Sequence, residues 1–174
     1  VLFSSRRDGT WVRHPFLYEV PAAGGQPRPL FLDFGYFGAY GPDGSLVAYT
    51  PRVTYYYTKN YDGTGNMRIN LGYRKTGTHR EVVSGRRDSA HAMWAPDGKG
   101  FYYTRYPRPG ERPAEDLDFY QQVFHHELGA PGAKDRYVFG RDLPRIAEIK
   151  LAMDNRSGRL LVTVQDGDSG RFSH

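Results

Sequence analysis

The feature that most constrains this chain is an internal repeat. Tyr40-Gly41-Pro42-Asp43-Gly44-Ser45-Leu46-Val47-Ala48-Tyr49-Thr50 and Trp94-Ala95-Pro96-Asp97-Gly98-Lys99-Gly100-Phe101-Tyr102-Tyr103-Thr104 match in residue type along their length, 54 positions apart. A looser copy occupies residues 153–164, where Asp154, Asn155 and Gly158 supply the turn and residues 159–164 the apolar run. Residues 1–5 read as the strand of a further copy without its turn. Proline presets φ for the first corner, aspartate bonds the backbone ahead of it and glycine accepts positive φ, so Pro-Asp-Gly is a tight turn between two antiparallel strands.

A self-similar unit of about 40 to 50 residues decides architecture before any local pattern does. An apolar or aromatic residue before the turn and an unbroken apolar run after it have the composition of strands buried on both faces. The expected fold is therefore all-β: a β-propeller segment of three to four blades of four-stranded antiparallel sheet, open to completion by self-association. The blades fall roughly at 1–33, 34–84, 85–140 and 141–174 of a single domain, the first and last incomplete. Strands are expected at 1–5, 16–21 and 29–33, then at 37–40, 46–52, 66–73 and 79–84. Further strands are expected at 90–94, 100–106, 120–128 and 135–140, and finally at 146–153 and 160–165. Residues 145–152 alternate apolar with charged at period two, the mark of a half-buried strand, and no segment carries a sustained helical period.

Composition narrows the function classes. Aromatic residues form 15% of the chain, 21 glycines and 12 prolines are scattered singly, and both facts suit many short strands joined by many turns. The net charge of +5 is diffuse: ten Lys/Arg face six Asp/Glu up to residue 85 and fourteen face thirteen beyond it, so the basic stripe of a nucleic-acid binder is missing. With no cysteine there is no disulfide, no thiolate nucleophile and no cysteine-based zinc site, and the compartment stays open. No apolar run approaches the roughly 20 residues that span a bilayer, no signal peptide is visible, and a membrane partner is not expected. The first residue, Val1, reads as mid-strand, as in an excised or processed piece.

At these residues two families of propeller-bearing peptidases enter. The run Gly100-Phe101-Tyr102-Tyr103-Thr104-Arg105-Tyr106-Pro107, with Tyr120-Gln121-Gln122-Val123-Phe124-His125-His126-Glu127-Leu128-Gly129 and Asp135-Arg136-Tyr137-Val138-Phe139, resembles the propeller of the prolyl oligopeptidase family over about residues 86–174. The first half, with Tyr18-Glu19-Val20-Pro21-Ala22-Ala23-Gly24-Gly25 and the turn at Pro42-Asp43-Gly44, is more similar to tricorn-protease and Tol-type propeller repeats. A natural divergent propeller and an engineered join near residues 84–89 both fit that pattern. The resemblance to prolyl oligopeptidases implies a separate hydrolase domain bearing Ser, Asp and His, with the propeller limiting access to short peptides. The Gly-X-Ser-X-Gly run of a nucleophile elbow does not occur in the 174 residues, so no catalytic residue is assigned.

Four local constellations carry possible chemistry. Gly167-Asp168-Ser169-Gly170 is similar to a serine-protease nucleophile loop but is followed by Arg171, and it fits a polar turn between blade strands. His125 and His126 would diverge to opposite faces of a strand, which favours blade-face histidines over a metal pair. Glu111, Glu115, Asp116 and Asp118 form an acidic group in a proline-rich insertion, read as a solvated loop rather than an acid/base pair. Tyr55, Tyr56, Tyr57 and Tyr61 form an aromatic segment open to two readings, contact with a peptide, sugar or partner chain, or packing between blades. The expected role is a non-catalytic scaffold or substrate gate without cofactor or metal. Its expected partners are a second copy of the chain and a peptide, with a purely structural, self-assembling chain and a piece of a peptidase as alternatives.

Overall fold

The computed structural model describes residues 1–7, 15–51, 67–84 and 90–174. Fourteen strands are present among them. They are β1 (Leu2–Ser5), β2 (Phe16–Glu19), β3 (Arg28–Phe34), β4 (Tyr36–Tyr40), β5 (Leu46–Thr50), β6 (Ile69–Tyr73), β7 (His79–Val83), β8 (Ala90–Trp94), β9 (Gly100–Arg105), β10 (Gln122–Glu127), β11 (Arg136–Phe139), β12 (Ala147–Asp154), β13 (Arg159–Asp166) and β14 (Phe172–Ser173). Among the described residues helix is confined to three short 3-10 turns at Ala114–Asp116, Gly132–Lys134 and Gly167–Ser169. No helix among the described residues is long and apolar enough to cross a membrane.

The strands form four antiparallel meanders, ordered β1-β2-β3, β4-β5-β6-β7, β8-β9-β10-β11 and β12-β13-β14. Strand β1 lies beside β4, β4 beside β8 and β8 beside β12, so the first strand of every sheet faces a common axis. This is the architecture of a β-propeller segment, the first strands inside and the last strands outside. Thirteen strands lie where the sequence pattern places them. The fourteenth, β14, corrects the sequence reading: Phe172–Ser173 adds an edge to β13 after the Gly167–Ser169 turn. Two residues are too few to show a period.

The repeated turn folds identically in both copies. Gly44 N–H donates to the Gly41 carbonyl at 2.9 Å and Gly98 N–H to that of Ala95 at 2.9 Å. The Asp43 carboxylate accepts from the Ser45 N–H at 2.9 Å and Asp97 from the Lys99 N–H at 3.0 Å. Gly44 and Gly98 stand at φ 70° and 68°. A type I corner closed by a left-handed residue is the common three-residue hairpin loop, and the left-handed corner explains the glycine. The third copy keeps the left-handed glycine, Gly158 at φ 71°, and an Asp154 carboxylate accepting from the Arg156 N–H at 3.0 Å, but its turn is longer, Gly158 N–H donating to the Asp154 carbonyl four residues back at 2.8 Å.

Side chains alternate along each strand, so one strand feeds two cores. In β5, Val47 and Tyr49 join Leu17 between the first and second blades, whereas Ala48 points the other way. That second core joins Ala48, Ile69, Leu71 and Val83 to Trp94, Phe101, Tyr103 and Phe124 of the third blade. From β9 and β10, Tyr102 and Val123 turn instead to Ile149 and Leu151 of the fourth. Burial on both faces explains the unbroken apolar runs, and deleting a ring such as Phe101 would cost about 3–5 kcal/mol. In β12 the pattern is strictly alternate: Ala147, Ile149 and Leu151 are buried while Glu148, Lys150 and Ala152 are exposed.

The turn glycines and the packing glycines respond differently to a methyl group. Around Gly98 the nearest atom to an added Cβ is Pro42 Cδ at 3.6 Å, so Gly98→Ala meets only backbone strain. We expect a loss of about 1–2 kcal/mol for it and for Gly44→Ala. At Gly100 an added Cβ runs into the carbonyl oxygen of His126, so Gly100→Ala should lose more than either. Urea unfolding midpoints at constant slope rank the three.

Candidate functional site

Two of the strands nearest the axis carry left-handed non-glycine residues. In β4 the pairing with β5 runs from Tyr36↔Thr50 to Ala39↔Ala48, and in β8 the pairing with β9 runs from Ala90↔Thr104 to Met93↔Tyr102. Each inner strand therefore holds one extra residue at the same repeat position. Phe37 and His91 sit in these bulges at φ 52° and 57°. A left-handed backbone costs about 1–2 kcal/mol for a residue with a side chain and persists only where surroundings impose it. A bulge turns a side chain out of its strand's normal alternation. Here it brings the Phe37 and His91 rings together across the two inner strands, centroids 4.1 Å apart. Phe37 remains 42% exposed. His91 is exposed, and the partial desolvation of its ring by the packing beside it holds its pKa below the ordinary imidazole value of 6.5.

The bulges are held from the next layer. Trp94 Nε1–H donates to the Ala39 carbonyl at 2.9 Å, tying the third blade to the bulged segment of the second. From the first blade Leu17 and Leu2 press on Gly38 so closely that an added Cβ would stand 2.8 Å from each. Glu19 bridges the same two blades at the turn end. It accepts from Tyr40 at 2.8 Å and pairs with Arg74 and Arg28, each at 2.7 Å. Burial opposes the charged carboxyl, but these three donors prevail and hold the Glu19 pKa below its ordinary value.

Between the second and third blades lies a buried polar chain. Asp135 accepts from the Tyr103 hydroxyl at 2.6 Å and meets His126 Nδ1 at 2.8 Å, with the His126 and Asp135 side chains 1% and 2% exposed. Burial, together with the adjacent carboxylate, pushes the Tyr103 phenol well above its usual range. His126 is thus a blade-face residue with a carboxylate partner, while His125 points to the other face against the Tyr102 ring, centroids 4.8 Å apart. Among the described residues no group of three His, Asp or Glu side chains could hold a metal ion.

The remaining sequence candidates resolve separately. Ser169 lies in the 3-10 turn between β13 and β14, where its hydroxyl accepts from the Arg171 N–H at 3.1 Å. The acidic insertion is largely solvated, as its sequence suggests, and two of its carboxylates are ion-paired. Glu111 receives both Arg105 NH groups at 2.7 and 2.9 Å, and Asp116 pairs with Arg145 at 2.8 Å. Tyr55, Tyr56, Tyr57 and Tyr61 lie outside the described residues. Sequence reasoning missed Phe37 and His91 as a pair, although their spacing of 54 residues is the repeat period.

Comparison with known proteins now adds the family. Residues 32–173 match the model of the prolyl oligopeptidase N-terminal β-propeller domain. The chain belongs to that family. The match runs through residues 84–89 and takes in most of the half that reads as Tol-like from its sequence. A prolyl endopeptidase structure shares the fold at TM-score 0.64 and 20% identity, covering 98% of this chain and 28% of that one. Prolyl oligopeptidase B from Galerina marginata, bound to a 25mer macrocyclization substrate, aligns at TM-score 0.61 and 17% identity, covering 88% of this chain and 24% of that one. The putative TolB of Agrobacterium tumefaciens aligns at TM-score 0.58 and 15% identity, covering 98% of this chain and 58% of that one. The chain thus spans about a quarter of these peptidases and just over half of this TolB. No curated protein sequence matches it.

Two measurements test the site as built. Tyr103→Phe leaves Asp135 with one partner and should cost about 1–2 kcal/mol, whereas Asp135→Ala strands a buried imidazole and a buried phenol and should cost about 3–5 kcal/mol; equal losses would refute the shared-acceptor arrangement. Because the folded His91 pKa lies below that of the unfolded chain, the unfolded state takes up protons first as pH falls. Stability present above pH 6.5 is therefore lost on acidification through the folded pKa. His125 is depressed by burial and by Arg136 and contributes in the same direction. Urea midpoints measured from pH 7.5 downward should fall less steeply for His91→Gln and for His125→Gln than for the parent chain.

Proposed function

We propose that this propeller acts as the non-catalytic, substrate-gating part of a peptidase, and that the inner strands β4 and β8 form the surface an incoming peptide meets. The observation that carries this reading is the Phe37–His91 pair: two left-handed residues at the same repeat position, their rings packed with centroids 4.1 Å apart beside the axis and Phe37 partly exposed. Strain without a use would be removed by glycine, whereas here it keeps an aromatic ring and an imidazole where a peptide could touch both. Membership in a peptidase propeller family supports the reading, as does the lack of a Gly-X-Ser-X-Gly run in the 174 residues. The alternative that the chain is one piece of such a peptidase shares this role.

A self-assembling role draws on a different observation. The outer face of the fourth sheet exposes Glu148, Lys150 and Ala152, and cross-strand pairing sets Leu161 and Phe172 on that same face, 49% and 56% exposed. Blades bury their faces only against neighbours, so this face calls for a cover, and we propose a second copy of the chain as one. Light scattering on the folded chain reads this directly: a stable monomer would speak against self-association.

The gate is tested with a fluorescent proline-containing peptide of about eight residues and its fluorogenic cleavable counterpart. We expect saturable binding without cleavage, and weaker binding by at least several-fold for Phe37→Gly, which relaxes the backbone while removing the ring. Cleavage by the chain alone, or binding indifferent to Phe37, would refute the gate.

A further inference from the structure

Away from the axis, on the side of the third blade that faces the second, four arginines surround one cavity. Arg105, Arg108, Arg112 and Arg141 line a space of about 630 Å³ together with only two carboxylates, Glu111 and Asp135. Both carboxylates are already engaged. Glu111 receives the bidentate Arg105 pair, which holds its pKa below the usual range, and Asp135 is taken by Tyr103 and His126. Among the described residues Arg108, Arg112 and Arg141 have no carboxylate within ion-pair distance.

These three guanidinium groups are held in place by neutral contacts. Arg112 stacks on the Tyr120 ring at 3.6 Å and donates to the Arg141 carbonyl at 3.0 Å. Arg141 stacks on the Tyr137 ring at 4.5 Å. Tyr120 itself stands at φ 56°, held by its N–H bond to the Arg145 carbonyl at 2.9 Å. Arg108 makes one long side-chain bond, to the Gly132 carbonyl at 3.4 Å. Beneath them Arg105, its side chain 6% exposed and stacked on Phe124 at 3.7 Å, keeps a buried Nε–H without a partner. Stacked, planar guanidinium groups lose little freedom on binding and present paired N–H donors that match carboxylate and phosphate oxygens.

We propose that this cavity binds a small doubly charged oxyanion, held by Arg108, Arg112 and Arg141. Orthophosphate and dicarboxylates share the chemistry that such a site recognises. The cavity is separate from the Phe37–His91 surface, and binding there does not depend on the gating role.

Isothermal titration with orthophosphate and, separately, with succinate tests the site, using the full chain in chloride buffer at fixed ionic strength. One saturable event per chain is expected with at least one of the two anions. Phosphate alone would assign a phosphoryl ligand, succinate alone a carboxylate ligand such as an acidic peptide, and both the shared oxyanion chemistry. Each of Arg112→Gln and Arg141→Gln should weaken binding by about tenfold or more. Arg108→Gln, which gives up a single long bond, serves as a third variant with little demand on folding, and Arg159→Gln on the exposed start of β13 should bind like the parent. No saturable heat with either anion, or equal affinity in the parent and the three cavity variants, overturns the proposal.

Discussion

Burial of each sheet on both faces against its neighbours is the constraint on which the rest of this structure depends. A four-stranded meander has two apolar faces, and water would meet both in isolation. Here Val47 and Tyr49 leave β5 toward one blade and Ala48 toward the other, while Tyr103 and Tyr102 divide in the same way from β9. Each strand is thus a shared wall. The blades cannot slip by one residue without exchanging two cores at once, which fixes register more firmly than a one-sided sheet would.

That tight stacking also supports strain at the axis. The left-handed backbone of Phe37 and His91 would relax in an isolated hairpin. It is held by Trp94 from behind, by Leu2 and Leu17 on Gly38, and by the contact between the two rings. Cores that cost about 3–5 kcal/mol per deleted ring can sustain a bulge costing about 1–2 kcal/mol. The result is a rigid inner surface carrying an aromatic ring and an imidazole, a useful property in a propeller of a peptidase family.

Polar contacts join the blades where apolar packing gives way. Glu19 gathers Arg28, Tyr40 and Arg74 across the turn end of the first two blades, and Asp135 gathers Tyr103 and His126 within the third. Each carboxylate is met by several partners, so its desolvation is offset by the bonds it makes, and those of Glu19 also tie one blade to the next. The arginines at the edge of the third blade differ, because three of them stack on rings or reach carbonyls and lack a carboxylate.

The sequence by itself determined thirteen of the fourteen strands, the turns and the repeat. Pro-Asp-Gly closes through bonds two and three residues apart, and the alternation along residues 147–154 needs only one strand and one buried face, so both are local facts. The family was also readable from the runs around Tyr103 and His126. Only the tertiary structure decided which residues meet. Asp135 reaches His126 through the register of β10 with β11, Glu111 and Asp116 are tied to Arg105 and Arg145, and Phe37 touches His91 because two blades lie side by side. Those pairings depend on distances between elements far apart in the chain, and a one-dimensional pattern carries the period of a strand but not the angle at which its neighbour arrives.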